Sequence, residues 1–360
     1  MTRPRIGVLG GGIVGAAIAY ALAGRQVDVD LFDARRPAGG TSRVSFGWIN
    51  AQSTPDRAYF DMRAEAVRAY HALPEPLQRA MGLRWTGSLT FNQPPEALQR
   101  ALSQLHSWGH AVRAVDAREF RALEPAFRHP PPLALHSEMD GTVEPRTATF
   151  ALLSAARARG ARLHFNVRVQ GLTERHGRVE SLRLPGSELA CDAVVLAAGA
   201  DTNEVLRMVG MRLPITTETD SLVYLRDAPG AFSRVLNAQT YHARQRPDGQ
   251  VVLGSDVAAE RGNPHPDIVS RLIGRFAADL DPAAAALGYT VRSSRRVVPA
   301  DGMPIVGHVP GTANLYVAVM HSGITLAPLI GEVAAEEILG GSDSRLARQF
   351  RPQRFVPSRP

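Results

Sequence analysis

The 360-residue chain is 44% hydrophobic and 21% charged, which allows two hydrophobic cores and excludes a largely disordered protein. Its net charge of +7 does not point to nucleic acid, because the arginines are spread along the chain without a basic block or an interleaved aromatic platform. All 41 basic side chains are arginine and there is one cysteine, so lysine chemistry, an intrachain disulfide and a cysteine-based zinc site are excluded.

The first predicted elements form a single device. Ile6-Gly7-Val8-Leu9 reads as a strand, Gly10-Gly11-Gly12-Ile13-Val14-Gly15 as a glycine turn, the Ala-rich run after it as a helix, and 27–32 as a second strand ending at Asp33. In this order Gly10 makes the tight turn, Gly12 lets the backbone approach a pyrophosphate and Gly15 lets helix and strand pack closely. The helix N-terminus offers free N–H groups and partial positive charge, and Asp33 stands where an acid holds the ribose. The unit therefore reads as an FAD or NAD site. Residues 6–24 carry no charge, yet glycines cluster at the turn and a charged strand follows at once, against a membrane span or signal segment.

A Gly-, Ser- and Arg-rich loop occupies 37–52, and an amphipathic helix follows over 58–71. The pattern then predicts a strand at 85–91 and helices at 95–108, 117–123 and 147–159. Strands follow at 162–172, 178–184 and 193–197, with Cys191 as a buried structural thiol beside the last. Strand-like segments continue at 221–225, 240–242 leading to 250–253, and 289–298, before a strand at 315–319 and a helix at 324–339. The first and last segments read as one nucleotide domain with strand-rich insertions, and 345–360 has the Arg and Pro content of a frayed tail. The 11 histidines lack metal-ligand spacing, so no metal is expected.

Further motifs stand in order along the chain: Gly40-Thr41-Ser42 with Gly47, Phe120-Arg121-Ala122-Leu123-Glu124-Pro125, Gly141-Thr142-Val143-Glu144-Pro145, Val194-Val195-Leu196-Ala197-Ala198-Gly199-Ala200, Asp301-Gly302-Met303-Pro304-Ile305-Val306-Gly307 and His321-Ser322-Gly323-Ile324-Thr325-Leu326-Ala327-Pro328. With the N-terminal turn, they make the chain resemble the FAD-dependent D-amino-acid oxidase superfamily, which includes glycine oxidase, sarcosine oxidase and D-amino-acid dehydrogenase. The resemblance implies an α/β fold: a Rossmann-like FAD-binding domain (GR2-type) from 1–50, 145–212 and 295–345, an inserted α+β substrate domain on an antiparallel sheet from 51–144 and 213–294, and a tail at 346–360. It implies FAD held by Gly10, Gly12, Ile13, Val14, Gly15, Asp33, Ala34, Thr41, Ser42, Val169, Ala198, Gly199, Gly302, Ser322, Gly323, Ile324, Thr325 and Leu326. The flavin is expected to be noncovalent, since Val44 stands where some relatives carry a linking histidine and no cysteine lies near Asp301. The helix from Ile324 would aim its N-terminus at the flavin pyrimidine edge, where its dipole favours the reduced anion.

The resemblance further implies that an arginine grips a substrate carboxylate, because its planar fork pairs bidentately. The family position is Arg296; Arg295 is the alternative, on the opposite face of the strand. The family tyrosine position is occupied by His242, with Tyr241 beside it, and Arg296, His242 and His321 are the catalytic candidates. The implied reaction takes hydride from the α-carbon of an amino acid or secondary amine to flavin N5, and water hydrolyses the imine to a keto acid. A 2-hydroxy acid donor, or a role as flavoprotein subunit of a hetero-oligomeric dehydrogenase, are alternatives. The expected partners are a small amine or amino acid, oxygen or another electron acceptor, and in the last case a partner subunit. A cytoplasmic location without an integral membrane segment or nucleic acid is expected.

Overall fold

A computed structural model describes residues 3–226, 232–255, 265–341 and 343–355. The strand Arg5–Leu9 lies inside a six-stranded sheet ordered Ile305–His308, Leu315–Val319, Ala193–Leu196, Arg5–Leu9, Asp28–Asp33, Arg162–Phe165. Every neighbouring pair is parallel except the edge pair formed by Ile305–His308. Parallel strands are covered on both faces, and their near-continuous apolar runs meet that demand. On one face the helices Ile13–Ala23, Pro145–Ala158 and Gly323–Ile338 pack with Ile6, Val8 and Val195. On the other lies an antiparallel meander of Gly171–Arg175, Arg178–Leu184 and Ser187–Ala190, whose Leu172, Val179 and Leu182 pack on Val194 and Leu196. Cys191 is buried in this layer, and burial pushes its thiol up to about 12, so it is structural.

An eight-stranded sheet forms the second core. Its order is Tyr289–Pro299, Ile215–Leu225, Val251–Gly254, His242–Gln245, Val235–Ala238, Ser88–Phe91, Ala134–Ser137, Val112–Val115. It is antiparallel apart from one parallel pair, Val235–Ala238 with Ser88–Phe91. Strand alternation gives it two different faces. Val223, Leu225, Leu253, Tyr241 and Ala243 enter an aromatic-rich core under the helix Pro266–Asp279. The intervening residues, among them Glu218, Asp220, Arg244, Arg292 and Arg296, belong to the opposite face, from which Arg296 reaches His321 and Arg244 reaches Phe46 and Glu144.

Several expectations are corrected. The helix Arg57–His71, expected to lie with the substrate portion, packs Tyr59, Met62, Ala66 and Tyr70 into the core of the nucleotide sheet, because its apolar stripe meets the helix Gly323–Ile338. The strand Tyr289–Pro299 runs through the expected boundary at 294/295. The single strand expected over 162–172 is two, Arg162–Phe165 and Gly171–Arg175, and Asn166 at φ 59° turns the backbone after the first. The expected tail is docked as far as 355: Ala347 and Phe350 are buried, Arg351 forks onto Glu337 at 2.6 and 2.7 Å, and Arg354 binds Asp301. Residues 356–360 lie outside the described residues. Among the described residues no helix is long and apolar enough to cross a membrane.

Candidate functional site

The glycine turn is built as tightly as its spacing requires. Gly10 has φ 120°, and a Cβ there would stand 2.3 Å from the Ala197 carbonyl oxygen; at Gly15 it would stand 1.9 Å from the Gly10 carbonyl oxygen. No side chain is tolerated at either point. Gly12 precedes the helix Ile13–Ala23, whose first-turn N–H groups lack intrahelical partners. Ser42 Oγ, buried, accepts the Ile13 N–H at 3.0 Å. Asp33 ends its strand with both carboxylate oxygens engaged, accepting N–H from Gly11 and from Arg35 at 2.7 Å each. It thereby holds the turn while bordering the same cleft.

That cleft runs from the glycine turn to the end of the strand Leu315–Val319. Gly10, Gly12, Ile13, Val14, Asp33, Ala34, Thr41, Ser42, Val169, Ala198 and Gly199 all line it, and Arg296, His321, Gly323 and Ile324 close its far end. Gly40 and Gly199 form part of its wall, and a Cβ on either would project into open space, so the backbone itself faces the cavity there. An elongated cleft with a helix N-terminus, an acid at a strand end and bare backbone walls suits a dinucleotide such as FAD.

Other residues expected at the FAD site are not among those lining this cleft. Gly15 is buried beneath Gly10 and serves packing. Gly302 is an exposed turn residue at φ 73°. Thr325 and Leu326 are buried within the last helix, Thr325 donating to the Trp48 carbonyl at 3.3 Å. Ser322 does not cap that helix with its side chain, because its hydroxyl accepts from Arg63 at 2.6 Å.

At the far end both neighbouring arginines line the cleft, and strand alternation gives them different partners. Arg296 Nη1 donates to His321 Nε2 at 3.0 Å and Nη2 to Glu218 at 3.0 Å, with Asp220 3.7 Å away. Arg295 is mostly exposed, 3.9 Å from Asp201, and its carbonyl accepts from Thr41. An arginine can only donate, so His321 Nε2 carries a lone pair and its proton sits on Nδ1. His321 is open to the cleft, yet crowding by the surrounding protein, and then the cations of Arg296 and Arg63, lower its pKa against the partial opposition of Asp220 and Glu218.

The Tyr241/His242 pair separates the same way, and neither joins this group. Tyr241 is a core residue: its ring packs edge-on to Phe276 and Phe91, and its hydroxyl donates to Asp279 at 2.6 Å. His242 takes the other face, where its ring lies edge-on to Phe46 at 4.5 Å and over Gly254. The register His242↔Gly254, Leu253↔Val223, Leu222↔Arg292 puts it three strands across and four residues along from Arg296. Strand spacing and rise make that on the order of 20 Å between Cα atoms.

The structure adds residues that sequence reasoning missed. Arg63 is buried, donating to the Asn50 carbonyl, Asn50 Oδ1 and Ser322 Oγ, with no carboxylate partner among the described residues. Its signal was a charge on the apolar stripe 59, 62, 66, 70. Glu218 and Asp220 alternate on one strand opposite Arg296 and Ser294, visible only once register is known.

A family model for FAD dependent oxidoreductases (DAO) matches residues 5–337. The chain is 27% identical to the bifunctional protein ThiO/ThiG of Synechocystis sp. over 97% of its length, and spans about half (54%) of that relative. It is 26% identical to a glycine oxidase of Pseudomonas aeruginosa, covering 93% of this chain and 95% of the relative. Among solved structures, glycine oxidase from Geobacillus kaustophilus superposes with a TM-score of 0.88 at 24% identity, covering 98% of this chain and 100% of that one.

Proposed function

The chain belongs to the DAO family of FAD-dependent oxidoreductases, and from that premise we propose that it binds FAD noncovalently and oxidises a small amino acid or secondary amine. The observation that carries this reading is the dipolar group at the far end of the cleft, with Arg296 between Glu218 and Asp220 and a neutral His321. A zwitterion matches it. The substrate carboxylate takes the place of Glu218 on the Arg296 fork, and the amine meets the carboxylate so released or the imidazole.

Bound FAD supplies the two-electron acceptor for the hydride. The protein's own residues orient the donor and hold its protons: Arg296 fixes the carboxylate, and His321, uncharged, adds no second cation beside it. The amine gives up its ammonium proton before hydride leaves carbon, and water hydrolyses the resulting imine to a keto acid and ammonia or amine. Noncovalent attachment is supported by the aliphatic side chain of Val44, buried against Leu222, at the position where the family resemblance places a linking histidine in some relatives.

The test is anaerobic mixing of FAD-loaded protein with amino acids, N-alkyl amino acids and 2-hydroxy acids. Bleaching of the flavin by an amine donor is expected, accelerating as pH rises through the pKa of the bound amine. Bleaching by hydroxy acids alone, with a flat profile, would overturn the reading.

A further inference from the structure

A second chamber of about 660 Å³ adjoins the cleft and shares Arg43, Ser45 and Ser293 with it. Five guanidinium groups border it, those of Arg43, Arg146, Arg244, Arg246 and Arg292, against the single carboxylate of Glu144. Separate elements deliver them. Arg244, in the strand His242–Gln245, and Arg246, just beyond its end, both reach Glu144. Arg292, from the strand Tyr289–Pro299, lies 4.8 Å over the Tyr224 ring. Arg146 is the second residue of the helix Pro145–Ala158, whose N-cap residue is Glu144.

Glu144 binds Arg244 at 2.6 Å and Arg246 at 3.1 Å. Arg43, Arg146 and Arg292 have no carboxylate partner among the described residues. Arg246 also lies 3.6 Å from Asp248; converging like charges repel, and two carboxylates do not offset five cations, whereas an anion in the chamber does. Guanidinium forks match carboxylate and phosphate oxygens bidentately.

We infer that this chamber binds a small, multiply charged anion bearing carboxylates or a phosphate. The inference is independent of which donor the enzyme oxidises. The anion is either the distal end of the electron donor, reaching the cleft past Ser45 and Ser293, or a free anion bound beside it. Calorimetric titration of FAD-loaded protein with citrate and with inorganic phosphate, at constant ionic strength, tests the site without turnover. Saturable binding is expected, weakened at least about tenfold by Arg292→Ala and by Arg146→Ala. Both side chains are exposed, and unchanged unfolding midpoints verify that the variants fold. Absence of saturable binding to the wild type, or equal affinity in folded variants, overturns the inference. The source is read from flavin bleaching by a donor found in the anaerobic panel. Citrate competing with that donor identifies the chamber with the donor's own anionic end, whereas binding without competition identifies a free anion; both outcomes support the site.

Discussion

Arg296 touches an imidazole and a carboxylate at 3.0 Å each, with a second carboxylate close by, and this crowding decides what replacing it does. Lysine keeps the charge but not the fork, so Arg296→Lys should raise KM for the carboxylate-bearing donor by roughly 10- to 100-fold, the worth of a charge-assisted bidentate contact, with a smaller change in kcat; steady-state kinetics on the wild type and the variant measures the split. Asp140 poses a different problem. It is fully buried and accepts from Trp48, Ser88, Ser137 and Gln52, yet burial outweighs these donors and pushes its pKa up to about 6. An acid whose folded pKa exceeds its unfolded value of 3.8 binds more protons when folded, so its contribution is lost as pH rises through that interval, by about 3 kcal/mol in all. Urea midpoints at successive pH values should show this fall between about pH 4 and 6 in the wild type and not in Asp140→Asn; parallel curves would remove Asp140 as its source. At this scale the sequence names candidate residues but not the direction in which they point. Strand alternation separates Arg296 from Arg295 and His242 from Tyr241, but the partners each one meets depend on a sheet assembled from residues as distant as Ser88 and Pro299.

The last helix, Gly323–Ile338, contains a proline that its hydrogen bonding has to absorb. Pro328 has no N–H, so the carbonyl four residues earlier, Ile324, loses its helical partner. Tyr70 fills the gap, its buried hydroxyl donating to the Ile324 carbonyl at 2.6 Å from the helix Arg57–His71. Burial alone raises the Tyr70 pKa, so the donor stays protonated. Tyr70→Phe keeps the ring in the core and orphans one buried carbonyl, for which about 1–3 kcal/mol of stability should be lost, and the helix end that carries Ile324 into the cleft should loosen. Denaturant midpoints give the first effect and a weaker FAD dissociation constant the second. An unchanged midpoint would mean that water reaches the carbonyl. The terminal motif was legible as a strand leading into a helix, and so was the glycine turn. The tie to Tyr70 was not, because 254 residues separate the partners. The helix Pro266–Asp279 carries an apolar stripe at 269, 272, 273 and 276 that the sequence reading passes over, whereas the edge strands Val112–Val115 and Ile305–His308 are too short to show a period.

For the molecule as a whole, the two sheets meet along the cleft, and the segment after the last helix acts as a clasp on the nucleotide side. Glu337 is buried and accepts two bonds from Arg351, one from Tyr316 and one from the Ser344 N–H. Desolvation alone would raise its pKa, but the Arg351 fork and the other donors together hold it below the ordinary glutamate value. A carboxyl depressed on folding stabilises the protein above its unfolded value of 4.5, and that contribution is lost as pH falls through the lower folded value. Arg351→Ala leaves a buried carboxylate uncompensated, and breaking such a pair costs about 3–5 kcal/mol. The variant should also lose less on acidification than the wild type, since the folded glutamate no longer resists protonation. Ala347 and Phe350 are buried by the same segment, so removing residues 345–360 should be at least as damaging as the point substitution, although composition alone marks this stretch as dispensable. FAD bound to the folded state adds stability by mass action, so excess FAD should raise the midpoints of both altered proteins. If FAD restores the point variant but not the truncated chain, the clasp supports the nucleotide sheet itself and not merely the charge of Glu337.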